Sequence, residues 1–331
     1  MPWAFCPAYW PWLRIAWRKN GERLILAGVD EAGLGPSVGP LATAAAALEV
    51  PDDWRPESPW ERLSETLAEK GSRNDSRLIV TDSKTLYRVG GLAGLELTVG
   101  VFSWLANGCF RPVLMEANEE GGGSHACYTR RLEPFPLLVT AAAVSTAAGK
   151  VAESLEQAKA KAAHLEASSL YEPVLNQRFV AGLNKHQALL IETGRHLRRL
   201  VEKFSDQPLL IMVDKQGGRN DYLPFLSGLF PGLWTDVVET GATQSRYRLR
   251  RPGGDAEIRF LAKADKVSFP TALASLAAKY VRERAMRELN AWFEKRLPGL
   301  KPTAGYPEDA RRWLAEVRNG GEDVELVVRL R

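Results

Sequence analysis

Cysteine and histidine are scarce in these 331 residues: three of the first, Cys6, Cys109 and Cys127, and four of the second, His125, His164, His186 and His196. An odd cysteine count with no Cys-x-x-Cys spacing excludes a disulfide framework and a zinc knuckle, and makes a reducing cytoplasm the expected compartment. No HExxH pair, G-x-S-x-G elbow or Walker A loop is present, which sets aside the common metallopeptidase, serine hydrolase and NTPase readings. Charge of one sign is also lacking, since 44 basic against 40 acidic residues leave only +4. That balance permits nucleic-acid binding without requiring it. Residues 1–17 carry four tryptophans, prolines and Arg14, a composition unlike a signal peptide or a membrane span. Nothing points to a membrane or to an obligate protein partner, and no internal repeat is found.

What is present is a soluble composition, 45% hydrophobic and 25% charged, in a chain long enough for one large domain with insertions or two small ones. The stretch that organises it is Leu24-Ile25-Leu26-Ala27-Gly28-Val29-Asp30-Glu31-Ala32-Gly33-Leu34-Gly35-Pro36. An apolar run of strand length ends in two adjacent carboxylates and breaks into a glycine turn. Gly33, Gly35 and Gly39 are wrongly spaced for a dinucleotide fingerprint, and a strand-like run at 40–50 follows them instead of a helix.

The remaining pattern predicts an excursion with one short helix over 51–77, an apolar run at 78–84 ending in Asp82-Ser83-Lys84, and a strand at 95–106. A loop or insertion boundary is expected at Gly121-Gly122-Gly123-Ser124, then one long amphipathic helix over 144–170. A second helix over 183–204 has a basic end, Arg195, His196, Arg198, Arg199 and Lys203, suited to a helix C-terminus. Continuous hydrophobicity at 208–214 marks a strand covered on both faces and ending in Asp214. A hairpin is expected across 235–249 and 257–262, with the densest basic cluster in Arg246, Arg248, Arg250 and Arg251. It leads to Asp265, and Ser268 and Pro270 then open a core helix over 270–295. On one flank of that helix Lys279 and Arg282 could meet phosphate or only water. A loop with Gly305-Tyr306, a short helix at 308–317 and an alternating segment at 324–330 complete the reading.

Asp30 with Glu31, Asp214 and Asp265 thus lie at three strand-to-loop junctions, which gather at one edge of an α/β sheet. Clustered carboxylates raise one another's pKa unless cations hold them. Oxygen-only ligation indicates a hard cation, magnesium or manganese, and magnesium shares its shell with water and substrate phosphate. Phosphoryl transfer assisted by two ions is the chemistry this favours.

At these residues the chain resembles the ribonuclease HII family. Gly28 to Pro36 is similar to its opening D-E-A-G-R-G-P signature, Asp82-Ser83-Lys84 to its D-S-K turn, Leu183-Asn184 to its L-N segment and Val213-Asp214 to its V-D strand end. Lys263-Ala264-Asp265 and Ala272-x-Ala274-Ser275-x-x-Ala278-Lys279-x-x-Arg282 resemble K-G-D and the helix after it, and Gly305-Tyr306 resembles G-Y-G. The resemblance implies an RNase H-like fold, a mixed β-sheet flanked by helices. It implies cleavage of the RNA strand in RNA/DNA hybrids or at single ribonucleotides in duplex DNA, leaving 3′-hydroxyl and 5′-phosphate ends.

By the same resemblance Asp30, Glu31, Asp214 and Asp265 would be catalytic and hold two Mg2+ or Mn2+ ions. Gly33, Leu34, Gly35, Lys84 and Tyr306 would meet substrate, the glycine backbone approaching the ribose 2′-hydroxyl and Tyr306 stacking on a sugar. Leu34 stands where the family has arginine, Lys215 and Ala264 where it has glycine, and Pro307 where glycine follows the tyrosine. Lys215 could pair with a site carboxylate or contact phosphate. The implied division is an aromatic and basic extension at 1–22, a catalytic domain at 23–298 with insertions near 51–77 and 105–175, and an extension at 299–331 carrying Tyr306. The alternative is a nucleic-acid-binding paralogue with weak or no cleavage.

Overall fold

The computed structural model describes residues 23–71, 75–109, 113–115, 126–128 and 135–330. The extension at 1–22 and the glycine run at 121–123, with Ser124, lie outside them.

Alternation along the buried strands decides the layering. In β1 (Arg23–Ala32), Leu24 and Leu26 face one apolar cluster while Ile25, Ala27 and Val29 face another. The same split recurs in β7 (Leu209–Asp214), with Leu210 and Met212 on the first side and Leu209, Ile211 and Val213 on the second. Both strands are therefore covered twice, as their continuous hydrophobicity predicts.

β2 (Leu41–Pro51) runs antiparallel to β1, and β7 lies parallel on its other side. Next come β10 (Ala256–Leu261), parallel to β7, then β9 (Gln244–Leu249) and the edge strand β8 (Thr235–Glu239), each antiparallel to its neighbour. Beyond β2 lie β6 (Lys161–Leu170), antiparallel to it, and β5 (Val113–Met115), parallel to β6. The sheet is thus mixed, in the order β5-β6-β2-β1-β7-β10-β9-β8. A separate pair, β3 (Leu67–Ala68) with β4 (Leu78–Ile79), sits in the 51–79 excursion beside α1 (Ser58–Arg62).

One sheet face carries α2 (Ser83–Asn107), α3 (Ala141–Gln157) and α7 (Phe269–Arg296). The other carries α5 (Lys185–Lys203) and α6 (Leu223–Leu229). α4 (Glu172–Val180) precedes α5, and α8 (Pro307–Asn319) packs on α7 through an edge-to-face contact of Phe293 and Trp313 at 4.8 Å. A mixed sheet flanked by helices is the fold the sequence implied.

Several local expectations are corrected. Residues 95–106 are helical, within α2, because Leu95, Val99 and Phe102 repeat at helical spacing and are buried against α7. The apolar run at 78–84 contributes two strand residues only, since Asp82 accepts from the Thr85 amide at 2.8 Å and caps α2. α2 is kinked at Gly91, and by length and composition it could cross a membrane; its buried side serves this core.

The single helix expected over 144–170 stops at Gln157, and Lys159 adopts a left-handed φ of 53° that turns the chain back as β6. Leu165 and Ala167 then point to one core while Glu166 faces α5, a period-2 pattern masked by the alanine-rich composition. The hairpin region holds three strands, and its basic cluster is occupied. Arg246 pairs with buried Glu257, Arg250 with Asp236 and Asp255, and Arg251 binds the Val201, Phe204 and Gln207 carbonyls. His196 is buried between Glu166 and Thr43, so the basic end of α5 is partly core. Segment 324–330 is a short 3-10 turn followed by a bridge of Val328 to Val38.

Candidate active site

The three parallel strands β1, β7 and β10 end at the same edge, with Val29 opposite Val213 and Leu261 opposite Asp214. That register places Asp30 and Glu31 beside Asp214. Just past β10, Lys263 adopts a left-handed φ of 59° and opens a 3-10 turn (Ala264–Lys266). This conformation, strained for a residue other than glycine, aims the Ala264 amide at Asp214 Oδ1 at 3.0 Å and presents Asp265 to the same edge.

Glycine at position 28 lets α7 reach this edge. A Cβ there would come within 2.2 Å of the Thr271 nitrogen, so only glycine allows the first turn of α7 to lie on β1. Ser268 caps that turn, and Ser275, one turn further, hydrogen-bonds Asp30 and Ser83. The Asp82-Ser83-Lys84 turn thereby joins the site, with Lys84 exposed at the start of α2.

The acids perturb one another. Burial, then the charges of Glu31 and Asp214, hold Asp30 well above the ordinary carboxylate range. Burial and Asp214 push Glu31 up to about 7. Asp214 is raised by burial, and Asp265 by burial and then by Asp214 and Asp82. Four half-buried carboxylates whose charges destabilise one another form a site that a cation relieves.

Among the described residues no group of three or more His, Cys, Asp or Glu side chains is placed to hold a metal ion. The donor set is nevertheless oxygen-only and open. It suits a cation that takes one or two carboxylates and completes its shell with water and phosphate.

Beside the acids, the glycine turn is pinned from three sides. Gly33 has φ +89°, and a Cβ on it would meet Arg282 Nε at 2.4 Å. Arg282, buried in α7, bonds Glu283 and the Ala304 carbonyl and lies 5.8 Å from the Tyr306 ring centroid. The Gly305 carbonyl accepts from the Ser37 and Val38 amides, bringing Tyr306, about half exposed, next to Gly35. Arg329 donates to the Gly33 carbonyl at 2.6 Å and the Gly39 carbonyl at 2.7 Å. Leu34 is half-buried against a cluster containing Leu41, Leu170 and Leu175. A cavity of about 660 Å³ opens beside this turn, lined by Leu34, Gly35, Lys185, Pro307 and Arg329 among others.

The structure thus brings the turn and Tyr306 together, whereas Lys215 and Lys279 have other partners. Lys215 turns away from the acids to the Asn220 side chain and the Gly241 and Ala242 carbonyls. Lys279 and Arg282 are both paired with Glu283. Arg329 and Glu172 were not legible in advance. Glu172, buried and pushed up to about 7 by desolvation, accepts from the Gly39 amide and the Tyr128 hydroxyl beneath the turn. Neither residue belongs to a local motif, and each reaches the turn from far along the sequence.

No protein-family model and no curated protein matches the chain. Solved structures do. RNase HII from Archaeoglobus fulgidus, in a complex with PCNA, is 16% identical over 93% of this chain and 94% of that chain, with a TM-score of 0.43. Ribonuclease H2 from Pyrococcus horikoshii OT3 is 17% identical, covering 92% of each chain at 0.41. Bst-RNase HIII in complex with Mn2+ is 18% identical over 94% of this chain and 67% of that one, also at 0.41.

Proposed function

We propose that the chain is a divergent endonuclease of the ribonuclease HII type, hydrolysing the RNA strand of RNA/DNA hybrids and working in the cytoplasm. The observation that carries this reading is the placement of Asp30, Glu31, Asp214 and Asp265 at one sheet edge, next to a glycine turn whose Gly35 is exposed. The motif resemblance of the same residues supports it.

In this reading the four carboxylates hold Mg2+ or Mn2+, with Asp214 oriented by the Ala264 amide and Asp30 by Ser275. When bound, two such ions supply charge neutralisation and Lewis acidity at the scissile phosphodiester, favouring 3′-hydroxyl and 5′-phosphate products. The Gly33 to Gly35 backbone approaches a ribose 2′-hydroxyl, the group that separates RNA from DNA. Tyr306 offers an exposed ring beside Gly35 on which a sugar can stack. Lys84, exposed at the start of α2, would meet a phosphate in this reading.

Leu34 favours a second reading, a nucleic-acid-binding paralogue that cuts weakly, because it puts an apolar side chain where the family has a cation. Two labelled substrates divide the possibilities, a continuous RNA/DNA hybrid and a DNA duplex with one ribonucleotide. Metal-dependent cutting of the hybrid supports the enzyme; binding of both without cutting supports the paralogue. Cutting of the hybrid alone assigns Leu34 a loss of single-ribonucleotide recognition.

A further inference from the structure

On the α5 face of the sheet lies a groove of about 800 Å³ between α4, α5 and α6. Its cations are Arg178, Arg195, Arg198 and Arg199, and its apolar lining includes Phe225 and Leu229. Gly194 lets α6 pack closely on α5 at the groove, since a Cβ there would stand 3.2 Å from the Phe225 ring.

The carboxylates that neutralise part of this charge are buried beneath it. Glu192, 1% exposed, accepts from Arg178 at 2.5 Å and Arg195 at 3.0 Å, which fixes both guanidinium groups. Buried Glu166 lies 3.5 Å from Arg199, whose side chain is half exposed. Arg198 is exposed and makes no hydrogen bond or ion pair among the described residues. The groove therefore presents guanidinium groups over an apolar floor, and no acid is among its lining residues. Arg195, Arg198 and Arg199 are three and four apart, so they share one helix face.

Guanidinium is weakly hydrated and forks onto phosphate, while apolar and aromatic floors accept bases or sugars. The groove and the cavity beside Gly35 both border Leu183, so the two lie side by side at the start of α5. We propose that this groove binds the sugar–phosphate backbone of one nucleic-acid strand where it extends beyond the candidate active site. The proposal rests on nucleic acid being the substrate and adds a second contact surface to it.

The test uses the full chain with Asp214→Asn to suppress cutting, and fluorescence anisotropy on two labelled RNA/DNA hybrids. One hybrid is short enough to cover the carboxylate edge alone, and the other is several turns long. Arg198→Glu is expected to weaken binding of the long hybrid about tenfold and to lower the slope of log Kd against log salt by about 1, with the short hybrid unaffected. Arg198→Ala should move both quantities the same way by less, and Lys150→Glu, on the opposite sheet face, should leave them unchanged. Equal weakening by Lys150→Glu, or an unchanged long-hybrid Kd in Arg198→Glu, overturns the proposal. So does displacement of the long hybrid by poly-glutamate at equal charge from the Asp214→Asn chain but not from its Arg198→Glu derivative, which would mark an acidic-peptide site. Wild-type chain that binds long hybrid through Arg198 but cuts nothing would defeat the nuclease reading and leave the groove standing.

Discussion

Arg329 donates its guanidinium to the carbonyl oxygen of Gly33 at 2.6 Å, joining residues 296 positions apart. With its second bond to Gly39, it ties both ends of the glycine turn together. Burial lowers its pKa to about 10, which leaves it charged at neutral pH.

Arg329→Ala should therefore loosen the turn. Two carbonyls lose their buried donor, at a cost of about 1–3 kcal/mol each at most, so a melting temperature lower by several degrees is expected. Arg329→Lys, which keeps charge but not the fork, should recover part of the loss. Thermal unfolding of the three proteins checks both.

Gly33→Ala should be worse for activity than for stability. A Cβ at φ +89° is strained and would stand 2.4 Å from Arg282 Nε, so the turn must shift away from its place beside Tyr306. At least a tenfold loss of hybrid cleavage is expected, a ΔΔG‡ of about 1.4 kcal/mol or more. Initial rates at saturating hybrid measure it.

Metal removal and pH act together at Glu31. Its pKa is raised from 4.5 to about 7, so the stability its protonated form provides is complete below about 4.5 and is lost as pH rises through 7. Metal-free protein should melt lower at pH 8 than at pH 5.5, and Mg2+ or Mn2+ should restore more at pH 8. Glu31→Gln should raise the metal-free melting temperature at pH 8 by a few degrees and abolish most of the metal response. Calorimetry with and without EDTA decides this.

Glu166 has the opposite sign. Burial alone would raise its pKa, but hydrogen bonds from His164 and His196 hold it well below 4.5. Its contribution is complete above 4.5 and fades as acid protonates it. Glu166→Gln should cost about 2 kcal/mol at neutral pH, because it replaces the buried charged acceptor of the His164 and His196 hydrogen bonds, and the difference from wild type should shrink towards low pH. Urea unfolding at a series of pH values reads both effects.

The legible parts of this fold were those where one residue type has one use. Continuous apolar strands ending in Asp30 and Asp214 had to be doubly covered, and the helix expected over 183–204 is α5. The illegible parts were set by tertiary packing. Leu95, Val99 and Phe102 could pack as helix or strand until α7 supplied a surface. The break between α3 and β6 depends on Lys159, a residue with no intrinsic claim to left-handed geometry. In the site, the acids and the glycine turn were visible because chemistry restricts their types. Lys215 does not pair with a site carboxylate, since its partners are Asn220 and backbone carbonyls of a loop that the sequence does not place. Arg329 and Glu172 were missed because their role depends on contacts across the fold, not on neighbours in the chain.

The most direct measurement is cleavage of a 5′-labelled RNA/DNA hybrid by the wild-type chain and by Asp214→Asn, with Mg2+, with Mn2+ and with EDTA. Cutting of the RNA strand by wild type with a divalent ion, leaving 3′-hydroxyl and 5′-phosphate ends, with a loss of at least a hundredfold in Asp214→Asn, about 2.7 kcal/mol, is the predicted result. No cutting by wild type with either metal, or equal cutting by Asp214→Asn, would contradict it.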